Sequence, residues 1–420
     1  MKDVLWISFR VPYDNVAHAG GKIHNFYLKK LKNKDVCNIK LISFYNDSDS
    51  SKIDLDRYGI DSILINSTDI EKRVPRHKIE ANRIYKISGV NQYLDLITRT
   101  MCIKALDEIK KLKNLGYVPQ VIILQWTQII ALLPELKRCF PNTKFVCIEE
   151  DVTFLAAQRR SKLTSNAFKK AYFLREEKCI KKIEKNCLER SDLVILNNRK
   201  DEKLLAQSHI NTKTWVWTPY FQNMIDLKRT YTGGKDILFY GAMSRPENWM
   251  SAIWFIENVF TRLKSKGYRF IVIGNKPNEK LLKYDDGNQI RILGFVEDIS
   301  PYFQNALCLA APLLLGAGVK IKILEGMSSG IPVITNSIGI EGIYAKNGEE
   351  YFYCENPDDY ILTIEKLSQS IEKNLEIGQK AKQYMQDNYD YNKDAEVFGN
   401  LIKELCEGVN QLHEKGDIIQ

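Results

Sequence analysis

Short apolar runs alternate with longer amphipathic stretches along the whole chain. In the first half, the runs at residues 4–9, 39–44, 62–65, 121–124, 145–148 and 193–196 read as strands, with amphipathic helices between them such as 23–31 and 94–112. In the second half, runs at 237–240, 270–273, 291–293, 307–310 and 333–335 repeat the pattern. After the first of these, apolar residues recur at Trp249, Ala252, Ile253, Ile256, Phe260 and Leu263, and gaps of three and four put them on one helix face. Strands that are apolar nearly throughout and separated by helices are those of parallel sheets covered on both faces. Two such sets predict an α/β protein with two doubly wound parallel-sheet domains. The boundary falls between Trp217 and Asp236, where Trp217-Thr-Pro219 closes the first set and Gly233-Gly234 precedes the second. We place the domains at 1–220 and 221–380, with a charged helical tail over 381–420.

Composition narrows the picture only a little. A chain of 420 residues, 44% hydrophobic and 27% charged, has the make-up of a soluble globular protein with ample core. A net charge of +9 suits anionic ligands or an acidic membrane surface and does not single out nucleic acid. The nine cysteines are scattered, without a Cys-x-x-Cys, so neither a disulfide framework nor a zinc site is expected and a reducing cytoplasm fits best. The start, MKDVLWISFR, reads as a strand, and no apolar stretch reaches the roughly 18 residues of a membrane span.

The chemistry concentrates in residues 312–341, PLLLGAGVKIKILEGMSSGIPVITNSIGIE. A strand leads into a loop with Gly316 and Gly318, then a helix bearing Lys320, Lys322 and Glu325, ended by Gly330. Glycines before a helix let backbone N–H groups approach an anion, and the helix N-terminus adds partial positive charge. Two lysines add full charges; Glu325 can accept from vicinal hydroxyls. That set suits a sugar diphosphate esterified to a nucleoside. The lysines lie roughly 200° apart around a helix, so one of them would touch the diphosphate directly. Ligands of open parallel sheets bind at the carboxyl ends of strands. There Gly241-Ala-Met-Ser-Arg245 offers a strand-ending glycine and an arginine able to grip phosphate in bidentate fashion.

The run GAGVKIKILEGMSSGIPVITNSIGIEG resembles the donor-site signature of nucleotide-sugar-dependent glycosyltransferases of the GT-B fold, specifically the large retaining family 4 (glycosyl transferases group 1). The resemblance implies two Rossmann-like doubly wound domains facing a cleft, with the tail crossing back to brace the first. It implies ribose contact by Glu325, diphosphate contact by Lys322 or Lys320, and backbone contact to the nucleobase near Val296. Many members carry another glutamate eight residues before the one matching Glu325; here that position is Ala317, so the donor sugar would be held by backbone amides of Gly316, Ala317, Gly318 and Val319. No Asp-x-Asp motif is present, and neither metal nor cofactor is expected beyond the nucleotide-sugar substrate.

In the first half, Gly20 and Gly21 lead directly into a helix, repeating the anion-site physics, and the resemblance has this loop face the diphosphate; His18 lies on the same loop. Glu149-Glu150-Asp151 follows a strand. Three adjacent acids repel, which raises at least one pKa, and Asp151 or Glu150 would orient the acceptor hydroxyl or take its proton; an acidic helix cap is the alternative. Gln125 ends another strand, followed by Trp126, and would line the acceptor pocket. Residues 159–185 carry ten lysines and arginines against three glutamates, with Phe168, Tyr172 and Phe173 among them. Such a helix suits peripheral contact with anionic lipid at the inner face of the membrane, or is a solvated face. The expected protein is thus a cytoplasmic retaining glycosyltransferase of bacterial glycan, polysaccharide or glycolipid assembly, acting on a glycan, lipid-linked or protein acceptor. Rivals are an inactive partner or glycan-binding protein on the same fold, and a sugar-nucleotide epimerase.

Overall fold

The computed structural model describes residues 2–16, 18–33, 37–81, 94–316 and 318–408. The chain divides into two compact units, Met1–Thr218 with Tyr391–Gln420, and Pro219–Asp390. The tail expected over 381–420 is split by this division. Helix Ile371–Asn388 belongs to the second unit, and helix Tyr391–Glu407 to the first.

The first unit is built on seven strands: β1 (Lys2–Ser8), β2 (Cys37–Tyr45), β3 (Asp61–Asn66), β4 (Val121–Gln125), β5 (Lys144–Glu149), β6 (Leu193–Leu196) and β7 (Thr214–Val216). Their order is β3-β2-β1-β4-β5-β6-β7, and every pairing is parallel. β1, β4 and β5 are buried almost end to end, because helices cover both faces. Helix Ala19–Asn33 buries Ile23, Tyr27, Leu28 and Leu31 along one face. Tyr27 stacks on Trp217 with centroids 3.7 Å apart, and Phe398 of helix Tyr391–Glu407 meets Trp6, Tyr27 and Trp217 edge-on. Asp394 fixes the same helix by accepting from the Thr218 N–H at 2.6 Å.

The second unit has six strands: β8 (Asp236–Tyr240), β9 (Arg269–Ile273), β10 (Ile290–Gly294), β11 (Cys308–Ala311), β12 (Val333–Thr335) and β13 (Phe352–Tyr353). The order is β10-β9-β8-β11-β12-β13, again all parallel. Both sheets therefore reverse direction beside their first strand, between β1 and β4 and between β8 and β11. Loops leaving the carboxyl ends of those pairs diverge, and this is where open α/β sheets bind ligands.

The basic segment 159–185 is two helices, Thr153–Leu163 and Ala167–Leu188, not one. The Asn166 side chain accepts from the Lys169 N–H and starts the second helix. The two pack together, with Arg160 over the Phe173 ring at 5.3 Å.

Candidate functional site

In the second unit, two loops leave the reversal point. One runs from Gly241 to Arg245 and enters helix Pro246–Phe255; the other runs from Pro312 to Lys320 and enters helix Ile321–Ser329. Glycine is needed where the strand ends close up. Gly274, at φ 156°, lies so near that a Cβ would sit 1.6 Å from the Gly241 carbonyl oxygen. Gly241, at φ 151°, faces Lys322, whose Nζ would be 2.8 Å from a Cβ there. The Gly241 N–H donates to Ile273 O and the Gly274 N–H to Gly294 O, drawing the ends of β8, β9 and β10 together. The second loop is held by Leu314 N–H donating to Ser251 Oγ at 3.1 Å and Asn336 Nδ2 donating to Leu313 O at 2.8 Å.

Lys322 lies in the first turn of its helix, half-buried. Its ammonium donates to Asn248 Oδ1 and sits 5.1 Å from the Phe239 ring centroid. Burial pushes it down to about 7; Glu247 opposes that shift, and Arg245 and Lys320 add to it. Lys320 caps the helix instead of lying within it, donates to Gly318 O, and pairs with Glu341 at 3.4 Å. The lysines thus take separate partners, and because Lys320 is extended rather than helical, the angular separation expected of two residues on one helix does not describe them. Arg245 is exposed and pairs with Glu247. Gly316 and Gly318 both have positive φ, 133° and 67°. Val319 and Val296 are half-buried, and Ala317 lies outside the described residues. Glu325 is only 2% exposed, yet it is not packed among apolar groups alone: Oε1 accepts from the Gln222 N–H at 3.3 Å, and the Tyr240 hydroxyl bonds to the same carboxylate. The surface ion pair that Lys322 and Glu325 could make one turn apart is not how either is held.

In the first unit, the His18 Nδ1 accepts from the Gly21 N–H at 2.9 Å where helix Ala19–Asn33 begins. Gly20 and Gly21 lie within the first turn of this helix rather than ahead of it, and a Cβ on Gly20 would lie 3.3 Å from both Glu150 Cδ and Trp126, so that turn rests on the ends of β4 and β5. Glu150 accepts from Gln125 Nε2 at 2.6 Å and Asn197 Nδ2 at 3.1 Å. Those amides are themselves anchored: Trp6 Nε1 donates to Gln125 Oε1 at 2.9 Å, and Trp217 Nε1 to Asn197 Oδ1 at 2.7 Å. Burial pushes the Glu150 carboxyl up to about 7 against these hydrogen bonds. Glu149 behaves differently from its neighbour. It is buried, accepts from Thr127 Oγ1 at 2.7 Å, and is raised well above the carboxylate range by burial and then by Glu184. Glu184, which accepts from the Thr153 and Phe154 N–H groups, is itself pushed up to about 8 by burial. Asp151 is exposed. The three adjacent acids therefore separate into one locked in the core, one half-buried at the strand end and one at the surface.

Sequence reasoning gave no role to Asn248, Asn197, Glu341 or Glu184. Asn248 stands three residues after Arg245 and, with Ser251, is a polar residue buried beside Ala252 and Phe255 on its helix, which is a readable signal. Glu341 and Asn197 reach their partners only through the fold.

Residues 234–370 match the family model described as glycosyl transferases group 1. They form a group 1 glycosyltransferase domain. The glycosyltransferase domain coincides with the strands and loops of the second unit. Over 255 residues the chain is 26% identical to an uncharacterized 44.6 kDa protein in the cps region of Klebsiella pneumoniae; the match spans 57% of this chain and 63% of that protein. Among solved structures, sucrose-phosphate synthase from Thermosynechococcus elongatus superposes with a TM-score of 0.68 at 14% identity, over 97% of this chain and 100% of that one. Anabaena HepE, solved in complex with UDP-glucose, gives a TM-score of 0.63 at 12% identity over 96% and 100% of the two chains. Two all-parallel α/β units make up the GT-B glycosyltransferase fold, and this chain has it.

Proposed function

We propose that this chain is a retaining glycosyltransferase that moves a sugar from a nucleotide diphosphate sugar to an acceptor hydroxyl. The observation that carries the reading is the meeting, at the β8–β11 reversal, of Gly241, the Gly316–Gly318 loop, a helix N-terminus, Lys322 and Glu325. The diphosphate lies along the amides of Gly316, Gly318 and Val319, beside Lys322, Lys320 and Arg245, with Gly241 leaving room for it. Glu325 accepts from the ribose hydroxyls, exchanging part of its present hydrogen bonding. The backbone at Val296 borders the base. HepE, whose structure holds UDP-glucose, supports the donor class, and the cps-region relative supports a role in bacterial glycan assembly.

In the reaction, the bond from the anomeric carbon to the diphosphate oxygen breaks and its electron pair stays on the diphosphate. Lys322, Arg245 and the helix N-terminus stabilise that charge, so turnover needs no added metal. The acceptor oxygen bonds to the same face of the anomeric carbon, and its proton passes to the departing phosphate oxygen. In the first unit, Glu150 and Asp151 orient the acceptor, and Gly20 and Gly21 offer a second anion-facing helix start. Phe168, 89% exposed beside Lys169 and Lys170, supports peripheral contact with an anionic membrane; among the described residues no helix is long and apolar enough to cross one.

A thermal-shift screen of nucleotide sugars tests the donor reading, since a ligand at 100 times its Kd stabilises by about 2.7 kcal/mol. At least one nucleoside diphosphate sugar should raise Tm; no shift from any of them contradicts the assignment.

A further inference from the structure

Trp126 holds a backbone conformation that bulky residues almost never adopt, with φ 71° and ψ 140°. Such a residue is strained, and strain of this kind clusters at ligand-binding sites. Trp126 follows Gln125 at the end of β4, beside the point where the sheet order reverses. The turn brings the indole against Gly20 in the first turn of helix Ala19–Asn33, where Cζ2 and Nε1 both come within 3.3 Å of the position a Cβ would take. The Glu150 carboxyl carbon lies at the same distance from that point. An aromatic surface and a carboxyl therefore flank one glycine.

The three tryptophans of this region divide their work. Trp6 and Trp217 are fully buried and spend their N–H groups on Gln125 and Asn197, the amides that hold Glu150. Trp126 is half-buried, and among the described residues its Nε1–H meets no acceptor. His18 and His24 stand edge-on to it, at 6.4 and 5.6 Å between centroids, and fix its plane. A rigid aromatic surface with a free N–H, next to a carboxyl aligned by two amides, presents an apolar face and a hydrogen-bonding edge together. A pyranose ring has that same duality, with C–H groups on one face and hydroxyls around the rim. A carboxyl held near neutrality can accept from a hydroxyl when ionised and donate when protonated.

We infer that the first unit binds its acceptor as a sugar, with a pyranose ring stacked on the Trp126 indole and a ring hydroxyl bonded to Glu150. This rests on reading the first unit as the acceptor side, and it selects a glycan or glycoside over a protein or lipid hydroxyl.

The test is saturation-transfer NMR on the full chain with methyl glucosides, galactosides and mannosides at millimolar concentration. Saturation should reach the ring C–H protons of at least one of them. Trp126→Phe should keep the affinity within about threefold, and Glu150→Gln should weaken it. Trp126→Gly should weaken it at least tenfold; glycine accepts the φ of 71°, and an unchanged Tm shows that this variant is folded. Binding that survives Trp126→Gly, or no binding by any pyranoside, overturns the inference. UDP and GDP binding to the wild-type chain, read in parallel, tests the donor site separately, so nucleotide binding without pyranoside binding sinks this inference alone.

Discussion

Lys322 donates to Asn248 across the gap between two helices that start at the same sheet reversal, one after β8 and one after β11. The amide fixes the ammonium in place, and burial lowers it to about 7 although Glu247 and Glu325 pull the other way. A diphosphate arriving beside it favours the charged form. Nucleotide binding at pH 8 should therefore take up a proton, and affinity should fall as pH rises above about 7. Calorimetry in two buffers of different ionisation enthalpy measures the uptake; equal heats at pH 8 would count against this placement of the lysine.

The same group affects stability in a direction that can be worked out. Unfolded, it titrates near 10.4, about three units above its folded value. Between the two the unfolded chain holds more protons, so this contribution rises with pH. Lys322→Met removes the penalty, and its gain in Tm should be larger at pH 6.5 than at pH 9.

Glu325 accepts from a backbone N–H donated by Gln222. Truncation leaves that group without its partner, at a cost of about 1–3 kcal/mol. Glu325→Ala should lower Tm and weaken UDP or GDP at least tenfold. Glu325→Gln should narrow the preference for ribo- over 2′-deoxynucleotides. An unchanged preference would remove the ribose role.

These partners show how far the chain could be read in advance. The sheets are legible because buried parallel strands are apolar throughout, as in Leu193–Leu196, or up to a last polar residue, as in Val121–Gln125. β7 and β13, three and two residues long, were missed because edge strands that short leave no pattern. The glycines and lysines of 316–322 could be listed, but not the fact that Lys320 reaches Glu341 while Lys322 reaches Asn248. Nor does any spacing reveal that Glu149 faces Glu184, on the second helix after β5, while Glu150 faces two amides.

The Glu149–Glu184 pair predicts a second pH effect, of opposite sign. Glu184 is pushed up to about 8 when folded, against about 4.3 unfolded. Between those values the folded state holds the extra proton, so stability falls as pH rises from about 4.5 through 8. Glu149→Gln removes the carboxyl that burial and Glu184 raise, and with it that group's share of the decline, so a Tm series should be flatter; a steeper one would contradict the pairing.

Gly274 tests the packing beneath the donor loop. Gly274→Ala puts a methyl into the Gly241 carbonyl and should cost about 3 kcal/mol or more, read as a lower urea midpoint. Gly241→Ala should cost less stability but more nucleotide affinity, since its Cβ meets Lys322 and Asn248 instead of backbone.

Turnover of a nucleotide-sugar panel with a glycoside acceptor, followed as released UDP or GDP, tests the donor assignment most directly. The wild-type chain should release nucleotide from at least one donor, and Lys322→Ala combined with Glu325→Ala should abolish it. Release at the wild-type rate by the double variant would contradict the account.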